Sequence, residues 1–146
     1  MRYFVNILTG ICLATLSAVL SVRATAQEEL MIIANLNVPI DQLSETDVNR
    51  IFLLKRTAWE NGNPIIPVNR EASSEIRVQF SKDILGASLR SLSKYWNQMQ
   101  FKGHMPPVVQ ESNAAMVAFV TNVPGSIGYI KGSKVPPNVK ILAKIK

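Results

Sequence analysis

The sequence is poor in the residues that most often carry catalysis and metal binding. It has one cysteine, Cys12, and one histidine, His104, among 146 residues. A zinc site needs three or four converging ligands, and a catalytic nucleophile needs an oriented base. One imidazole and one thiol provide too few ligands for zinc and no oriented base for a nucleophile. We therefore expect His104 to be an exposed loop residue, and we expect no metal, no cofactor and no disulfide.

Sequence motifs of the common enzyme classes are also lacking. There is no GxGxxG, no P-loop, no HExxH and no GxSxG. The acidic residues are scattered, without the spacing of a catalytic carboxylate pair. The sequence predicts a protein that is not an enzyme.

Acidic residues are few compared with basic ones. Sixteen Lys and Arg against ten Asp and Glu give a formal net charge of +6, which suits an anionic partner. Residues 131–146 contain no acid and five lysines: Lys131, Lys134, Lys140, Lys144 and Lys146. Aromatic residues are not interleaved with these lysines, so we expect no nucleic-acid partner. A solvated strand face explains the lysines equally well, and a surface for anionic lipid, glycan or an acidic protein stays open.

The N-terminus has the pattern of an export signal. Arg2 precedes a mostly apolar run over residues 4–20, and residues 24–26 read Ala-Thr-Ala, the small-x-small form that signal peptidase accepts. We predict a cleaved signal peptide over residues 1–26, a periplasmic location, and no membrane span in the mature chain. A retained membrane anchor is the alternative. Cleavage would remove Cys12 and lower the net charge from +6 to +4, because Arg2 and Arg23 leave with it.

The remaining residues, 27–146, have the pattern of a single α/β domain. Short apolar runs predict strands at residues 30–34, 65–68, 108–109, 127–130 and 139–145. Apolar residues at helical spacing, with serine caps, predict helices after Ser44, after Ser73 or Ser74, from about Leu89 to Met99, and after Ser112. Strands and helices that alternate in this way predict a mostly parallel central sheet flanked by helices.

The strongest local signal is the segment 70–77, Arg-Glu-Ala-Ser-Ser-Glu-Ile-Arg. A helix N-terminus presents unpaired backbone N–H groups, and hydroxyls beside a guanidinium complete a corner that can bind an oxyanion. The candidate ligand-binding residues are Arg70, Ser73, Ser74 and Arg77. An ordinary capped helix with a surface arginine is the alternative. Glu75 would compete with an anion for the same positive end of the helix.

Four short motifs follow one another along this domain. They are Val48-x-x-Ile51-Phe52 followed by Trp59, Pro64-Ile65-Ile66-Pro67-Val68-x-Arg70, Ser73-Ser74-x-x-Arg77-x-x-Phe80, and Pro124-Gly125-Ser126-Ile127-Gly128-Tyr129. Together they resemble the phosphate-binding proteins of ABC transporters, within the type II periplasmic binding protein superfamily. The resemblance covers about residues 30–146 and concerns a single lobe, the second lobe of those two-lobed proteins.

The resemblance implies a binding protein in which phosphate is clamped between two lobes. Arg70 matches the family's arginine and Ser74 its serine. Ala72, Glu75 and Ile76 stand where the family has an aspartate, a glycine and a threonine. With these departures and without the first lobe, the resemblance implies an exported, non-enzymatic binding module with a degenerate site for phosphate or another small oxyanion. The alternative is a periplasmic interaction or structural module that kept the lobe, lost the ligand, and binds a periplasmic or envelope protein.

Overall fold

The structure is a computed structural model that describes residues 28–145. The predicted signal peptide therefore lies outside the described residues. The described chain folds into these elements: β1 (Glu29–Ala34), α1 (Glu45–Phe52), β2 (Ile66–Arg70), α2 (Glu75–Asp83), α3 (Leu89–Phe101), β3 (Val108–Gln110), α4 (Asn113–Asn122), β4 (Ser126–Gly132) and β5 (Lys140–Ile145). Between residues 28 and 145, no helix is long and apolar enough to cross a membrane.

The strands form one five-stranded sheet in the order β3-β2-β4-β1-β5. β2 pairs in parallel with β3 and β4, whereas β1 pairs antiparallel with β4 and β5. The predicted α/β class is confirmed, and the sheet is mixed because β1 opposes the direction of the other strands. Residues 133–139 return the chain to the end at which β4 began, so β5 runs in the same direction as β4 on the far side of β1.

β1 lies at the centre of the core and is buried on both faces. Leu30, Ile32 and Ala34 join the cluster that contains residues of α1, α2 and α3, while Met31 and Ile33 join the cluster that contains residues of α4. All five side chains are at most 2% exposed. The unbroken apolar run predicts this double burial, since successive side chains of a strand point to opposite faces.

Serine caps begin all four described helices. Ser44, Ser74, Ser88 and Ser112 each accept a hydrogen bond from the backbone N–H three residues further on. The sequence left a choice between Ser73 and Ser74, and Ser74 is the cap. The caps of α2 and α4 fix where these helices begin, shortly after β2 and β3 end.

Three aromatic side chains join α1 and α2 to the sheet. Phe80 of α2 stacks on Tyr129 of β4 with ring centroids 3.9 Å apart, and Phe52 of α1 meets the Phe80 ring edge-on at 4.8 Å. Each of the three side chains is fully buried. Within residues 29–145 the five-stranded sheet has a hydrophobic cluster on each face, so this part of the chain contains a two-sided hydrophobic core.

One end of the sheet, where β2 and β4 begin, is closed. The Gly125 carbonyl accepts hydrogen bonds from Trp59 Nε1 at 3.0 Å and from the Ile66 amide at 3.1 Å. Gly125 has a φ of +77°, and a Cβ at this position would lie 2.5 Å from the Pro64 carbonyl oxygen. Glycine is required here because both the backbone angle and the space exclude a side chain. The buried Trp59 indole covers this end.

Candidate functional site

A cleft lies at the opposite end of the sheet, where the parallel strands β2 and β3 finish. β2 ends at Arg70 and leads into α2, and β3 ends at Gln110 and leads into α4, so two helix N-termini face the same edge. The cleft has a volume of about 480 Å³ and is lined by Glu28, Arg70, Ser74, Glu75, Ile76, Ser112, Asn113 and Lys131. Ligands of open α/β sheets bind outside the carboxyl ends of the strands, which is the position of this cleft.

Arg70 is the cation at the centre of the cleft, and its guanidinium is extensively hydrogen-bonded. Its Nη1 donates to Asn113 Oδ1 at 2.9 Å, and its Nη2 donates to the Glu111 carbonyl oxygen at 3.0 Å. Nε and Nη2 also donate to the two carboxylate oxygens of Glu71, both at 3.3 Å. A guanidinium has five N–H donors, so these four hydrogen bonds occupy most of them.

The backbone of Arg70 is held by a buried tyrosine. The Arg70 amide donates to the Tyr129 hydroxyl at 3.1 Å, and that hydroxyl donates to Asn69 Oδ1, also at 3.1 Å. Burial raises the pKa of Tyr129 to about 12, so the hydroxyl keeps the proton that it donates. Because the Tyr129 ring stacks on Phe80, the hydrophobic core fixes the position from which the Arg70 side chain enters the cleft.

The two candidate serines have different surroundings. Ser74 lines the cleft, but its hydroxyl accepts from the Arg77 amide at 3.4 Å and donates to the Glu71 carbonyl oxygen at 2.9 Å. Ser73 is exposed and lines an adjoining depression, which shares Glu75 and Lys131 with the cleft. The helix cap thus uses the hydroxyl of Ser74, and Ser73 is outside the cleft.

Arg77 is not among the residues that line the cleft. It is buried, with 8% of its surface exposed, and its Nη1 has no hydrogen-bond partner in the described part of the chain. Burial lowers the pKa of the Arg77 guanidinium, and the neighbouring Tyr129 partly opposes this shift. Of the four predicted site residues, the structure brings Arg70 and Ser74 together at the cleft and leaves Ser73 and Arg77 outside it.

Besides Glu75 and Ile76 of the 70–77 segment, four cleft residues are absent from the sequence-based candidate set: Glu28, Ser112, Asn113 and Lys131. They come from the segments before β1, at the start of α4 and within β4, which the sheet order brings to one edge. The predicted cap at Ser112 was the available signal, since a helix that follows a parallel strand begins at the ligand-binding edge.

Acidic residues balance the cations of the cleft. Glu28 and Glu75 line it together with Arg70 and Lys131. Glu71, rather than Glu75, forms the ion pair with Arg70, at 3.3 Å. The hydrogen bond from Arg70 is the main cause of a lowered pKa for Glu71, so this carboxyl stays ionised at neutral pH. With Glu71 included, three acids stand against two cations, so the cleft has no excess positive charge.

The other candidate features of the sequence lie away from the cleft. His104 is exposed in the loop between α3 and β3. Lys140 pairs with Asp41 at 2.9 Å and Lys144 with Glu29 at 3.5 Å, so acids from earlier in the chain partly neutralise the basic C-terminal strand. Among residues 28–145, no three His, Cys, Asp or Glu side chains are grouped so that they could hold a metal ion.

Comparison with solved structures identifies the fold. No protein-family model matches the chain. A proposed phosphate ABC transporter substrate-binding protein with bound phosphate from Clostridium perfringens matches with a TM-score of 0.64 and 21% identity over 80% of this chain and 45% of its own. An ABC-type phosphate transport receptor from Vibrio cholerae matches with a TM-score of 0.62 and 23% identity, over 80% and 46% of the two chains. PstS from Borrelia burgdorferi matches with a TM-score of 0.61 and 20% identity, over 81% and 47%.

The chain spans less than half the length of these structures. It has the fold of one part of a phosphate ABC transporter substrate-binding protein, and the single-lobe resemblance predicted from its motifs is confirmed at the level of fold.

Proposed function

We propose that the chain is an exported, non-enzymatic binding module whose cleft holds a small oxyanion such as phosphate weakly. The observation that carries the proposal is the position of Arg70, whose guanidinium lies at the end of β2 between the N-termini of α2 and α4. A guanidinium and helix N-termini both favour an anion. The likeness in fold to phosphate-binding proteins supports this class of ligand.

The site is degenerate because its donors already have partners within the chain. An incoming anion competes with Glu71 for the guanidinium, and the hydroxyl of Ser74 serves the helix cap. Glu75 and Glu28 add two carboxylates that repel an anion. Lys131 is the second cation of the cleft, and the only hydrogen bond that its ammonium group makes within the described chain is a long one, 3.4 Å, to Gln79. Weak binding through Arg70 and Lys131 follows from this balance.

The same carboxylates favour phosphate over sulfate. Phosphate carries a proton over much of the neutral range and can donate it in a hydrogen bond to a carboxylate, whereas sulfate has no proton and is only repelled. Glu75 is the exposed cleft carboxylate that lies in the first turn of α2. We therefore expect the cleft to discriminate between two anions of similar size and shape.

A thermal-shift titration of residues 27–146 with phosphate, sulfate and chloride at constant ionic strength tests the proposal. A ligand at about a hundredfold excess over its Kd stabilises the folded state by about 2.7 kcal/mol, which is visible as a shift of the midpoint. We expect a saturable shift with phosphate, a smaller one with sulfate and none with chloride. Equal shifts with all three salts would contradict a specific site.

Variants separate the cleft from the rest of the surface. Arg70→Ala should abolish the phosphate shift. Glu75→Gly should increase the phosphate shift and increase the sulfate shift more, because it removes a carboxylate that repels both anions and repels sulfate more strongly. Lys134→Ala, in the loop after β4, is the matched control and should leave the shift unchanged. Each shift is measured from the variant's own midpoint without ligand, so a loss of stability does not imitate a loss of binding.

A second candidate function is a periplasmic module that binds a protein in place of the anion. The observation that favours it is the mixture of charges in the cleft, where Arg70 pairs with Glu71 and two further acids and a second cation line the same space. Such a surface suits a protein partner that presents both positive and negative groups. Pull-down from a periplasmic extract should then return one partner in stoichiometric amount, and Arg70→Ala should weaken its capture. No phosphate shift together with such a partner would favour this second function.

A further inference from the structure

A long segment in the middle of the chain contains no acid. Between Asp83 and Glu111 lie the cations Arg90, Lys94 and Lys102, with no Asp or Glu. Within the described residues none of these three cations takes part in a salt bridge, in contrast to Lys140 and Lys144 of the C-terminal strand. Within the described chain, the cations on and around α3 therefore have no acidic partner, as is also true of Lys82, Lys131 and Lys134, whereas Lys140 and Lys144 of β5 are paired.

The same segment exposes large apolar side chains. Phe101, at the end of α3, is 94% exposed, and Met105, in the loop that follows, is 72% exposed. Single exposed apolar side chains are common on protein surfaces, but a group of them beside charged residues marks an interaction surface. We call Arg90, Lys94, Phe101, Lys102 and Met105 the α3 surface.

Helical spacing places most of the α3 surface on one side of the helix. Arg90, Lys94 and Phe101 follow one another at intervals of four and seven residues, which keeps them on the same face. Leu92 and Trp96 form the buried side of α3 and face the opposite direction. The two cations and the phenyl ring therefore point outward together, away from the core.

We propose that the α3 surface docks on an anionic lipid bilayer, with the side chains of Phe101 and Met105 at the level of the headgroups. Cations beside exposed aromatic and apolar side chains are the combination that binds anionic membranes. The depression at this place is lined by the Phe101 ring and by the polar residues Asn97 and Gln100, so within the described chain no second apolar side chain completes a groove for a peptide. A bilayer accepts a protruding ring without such a groove.

The α3 surface shares no residue with the cleft, so the proposal is independent of the proposed function. Sedimentation of residues 27–146 with vesicles tests it, because this part of the chain contains both hydrophobic clusters and the five-stranded sheet and lacks the apolar run over residues 4–20. We expect binding to phosphatidylglycerol vesicles at low salt, loss of that binding at high salt, and no binding to phosphatidylcholine vesicles.

Two variants and two controls locate the binding. Lys94→Glu should weaken partitioning onto phosphatidylglycerol by at least about tenfold, because each cation near an anionic surface contributes about fivefold and a reversal changes two charges. Phe101→Ser should weaken it by up to about tenfold through lost apolar burial. Lys134→Glu and Val135→Ser make the same changes in the loop after β4, where Val135 is 54% exposed, and should have little effect.

Three results would overturn the proposal. One is no binding to phosphatidylglycerol at low salt, and another is an equal loss for Lys94→Glu and Lys134→Glu, which would reflect net charge alone. The third is binding of soluble polyglutamate that competes fully with the vesicles and is unaffected by Phe101→Ser. That result would assign the α3 surface to an acidic protein.

Discussion

At the end of the sheet where β2 and β4 begin, the Gly125 carbonyl accepts from the Trp59 indole and from the Ile66 amide, and no side chain fits at Gly125. At the other end, where β2 and β3 finish, Arg70, Glu71 and Asn113 satisfy one another through side-chain hydrogen bonds. The closed end cannot change without moving the backbone, whereas side chains at the open end can exchange one partner for another. The difference suggests that stability depends mainly on the closed end and binding on the open one.

The largest expected effect is at the closed end. Gly125→Ala combines a strained backbone angle with a clash against the Pro64 carbonyl, so we expect a loss of about 3 kcal/mol or more in the free energy of unfolding, measured with urea. Gly86→Ala is the matched control, since Gly86 also has a positive φ, +62°, but has no atom within 4 Å of the added Cβ. We expect about 1 kcal/mol for the control. An equal loss of stability in the two variants would show that the close approach of Gly125 to the Pro64 carbonyl oxygen does not contribute to stability.

A pair of arginine variants tests whether the open end also contributes to stability. Arg70→Met removes four hydrogen bonds and leaves Asn113 and Glu71 without their partner, so we expect a loss of about 1–2 kcal/mol. Arg77→Met removes a buried cation whose Nη1 has no partner in the described residues, so its stability should be unchanged or slightly higher. Urea unfolding of both variants measures the contrast. A larger loss for Arg77→Met would mean that its guanidinium has an important role in the core.

Tyr129 links the core to the open end, and its removal should have a smaller effect. Tyr129→Phe deletes the hydrogen bonds to Asn69 and to the Arg70 amide, at an expected cost of about 1 kcal/mol. Because the pKa in the folded state is about 12 and the ordinary value is 10, the tyrosine favours folding below pH 10. As the pH rises from 10 to 12 the unfolded chain ionises first, so this stability is lost.

The variant should therefore lose less stability than the unmodified chain over that alkaline range. Urea midpoints measured at several pH values check the difference. Identical alkaline slopes for the two proteins would contradict the assigned burial of the hydroxyl.

The smallest expected effect is that of the Glu71 carboxylate. The hydrogen bond from Arg70 holds the pKa of Glu71 below the ordinary 4.5, so its contribution to stability is present above pH 4.5 and is lost as the pH falls through the lower folded value. In Glu71→Gln, the free energy of unfolding should therefore decrease less than in the unmodified chain as the pH falls below 4.5. Glu75→Gln is the control, because Glu75 has no ion pair or side-chain hydrogen bond within the described chain. If both variants reduced the loss of stability at acidic pH equally, the result would argue against the Arg70–Glu71 pair.

Most of the fold could be predicted from local patterns. Ser44 and Ser112 begin helices as expected, and the apolar run of β1 is buried on both faces, because caps and periodicity are local properties. The direction of β1 could not be predicted in this way. It depends on residues 133–139 returning the chain across the sheet, and burial on two faces looks the same in parallel and antiparallel strands.

The candidate site was predictable only where its residues are neighbours in the chain. Arg70 and Ser74 flank the start of α2, so a capped helix after a strand brings both to the cleft. Asn113 and Lys131 reach the cleft only through the order of the strands, which no local pattern gives. Arg77 belongs to the same segment, but its side chain is buried and does not line the cleft, which the local pattern of a capped helix does not reveal.

The position of β1 between β4 and β5 also determines when this domain can fold. Its register joins Leu30 to Lys131 on one side and to Ile145 on the other, so the first strand has both of its partners in the last part of the chain. A chain delivered N-terminus first, from a ribosome or through a pore, cannot complete its sheet until nearly every residue has emerged. Such long-range pairing makes folding slow. The chain therefore stays unfolded, and able to pass through a pore, until its synthesis or passage is almost finished.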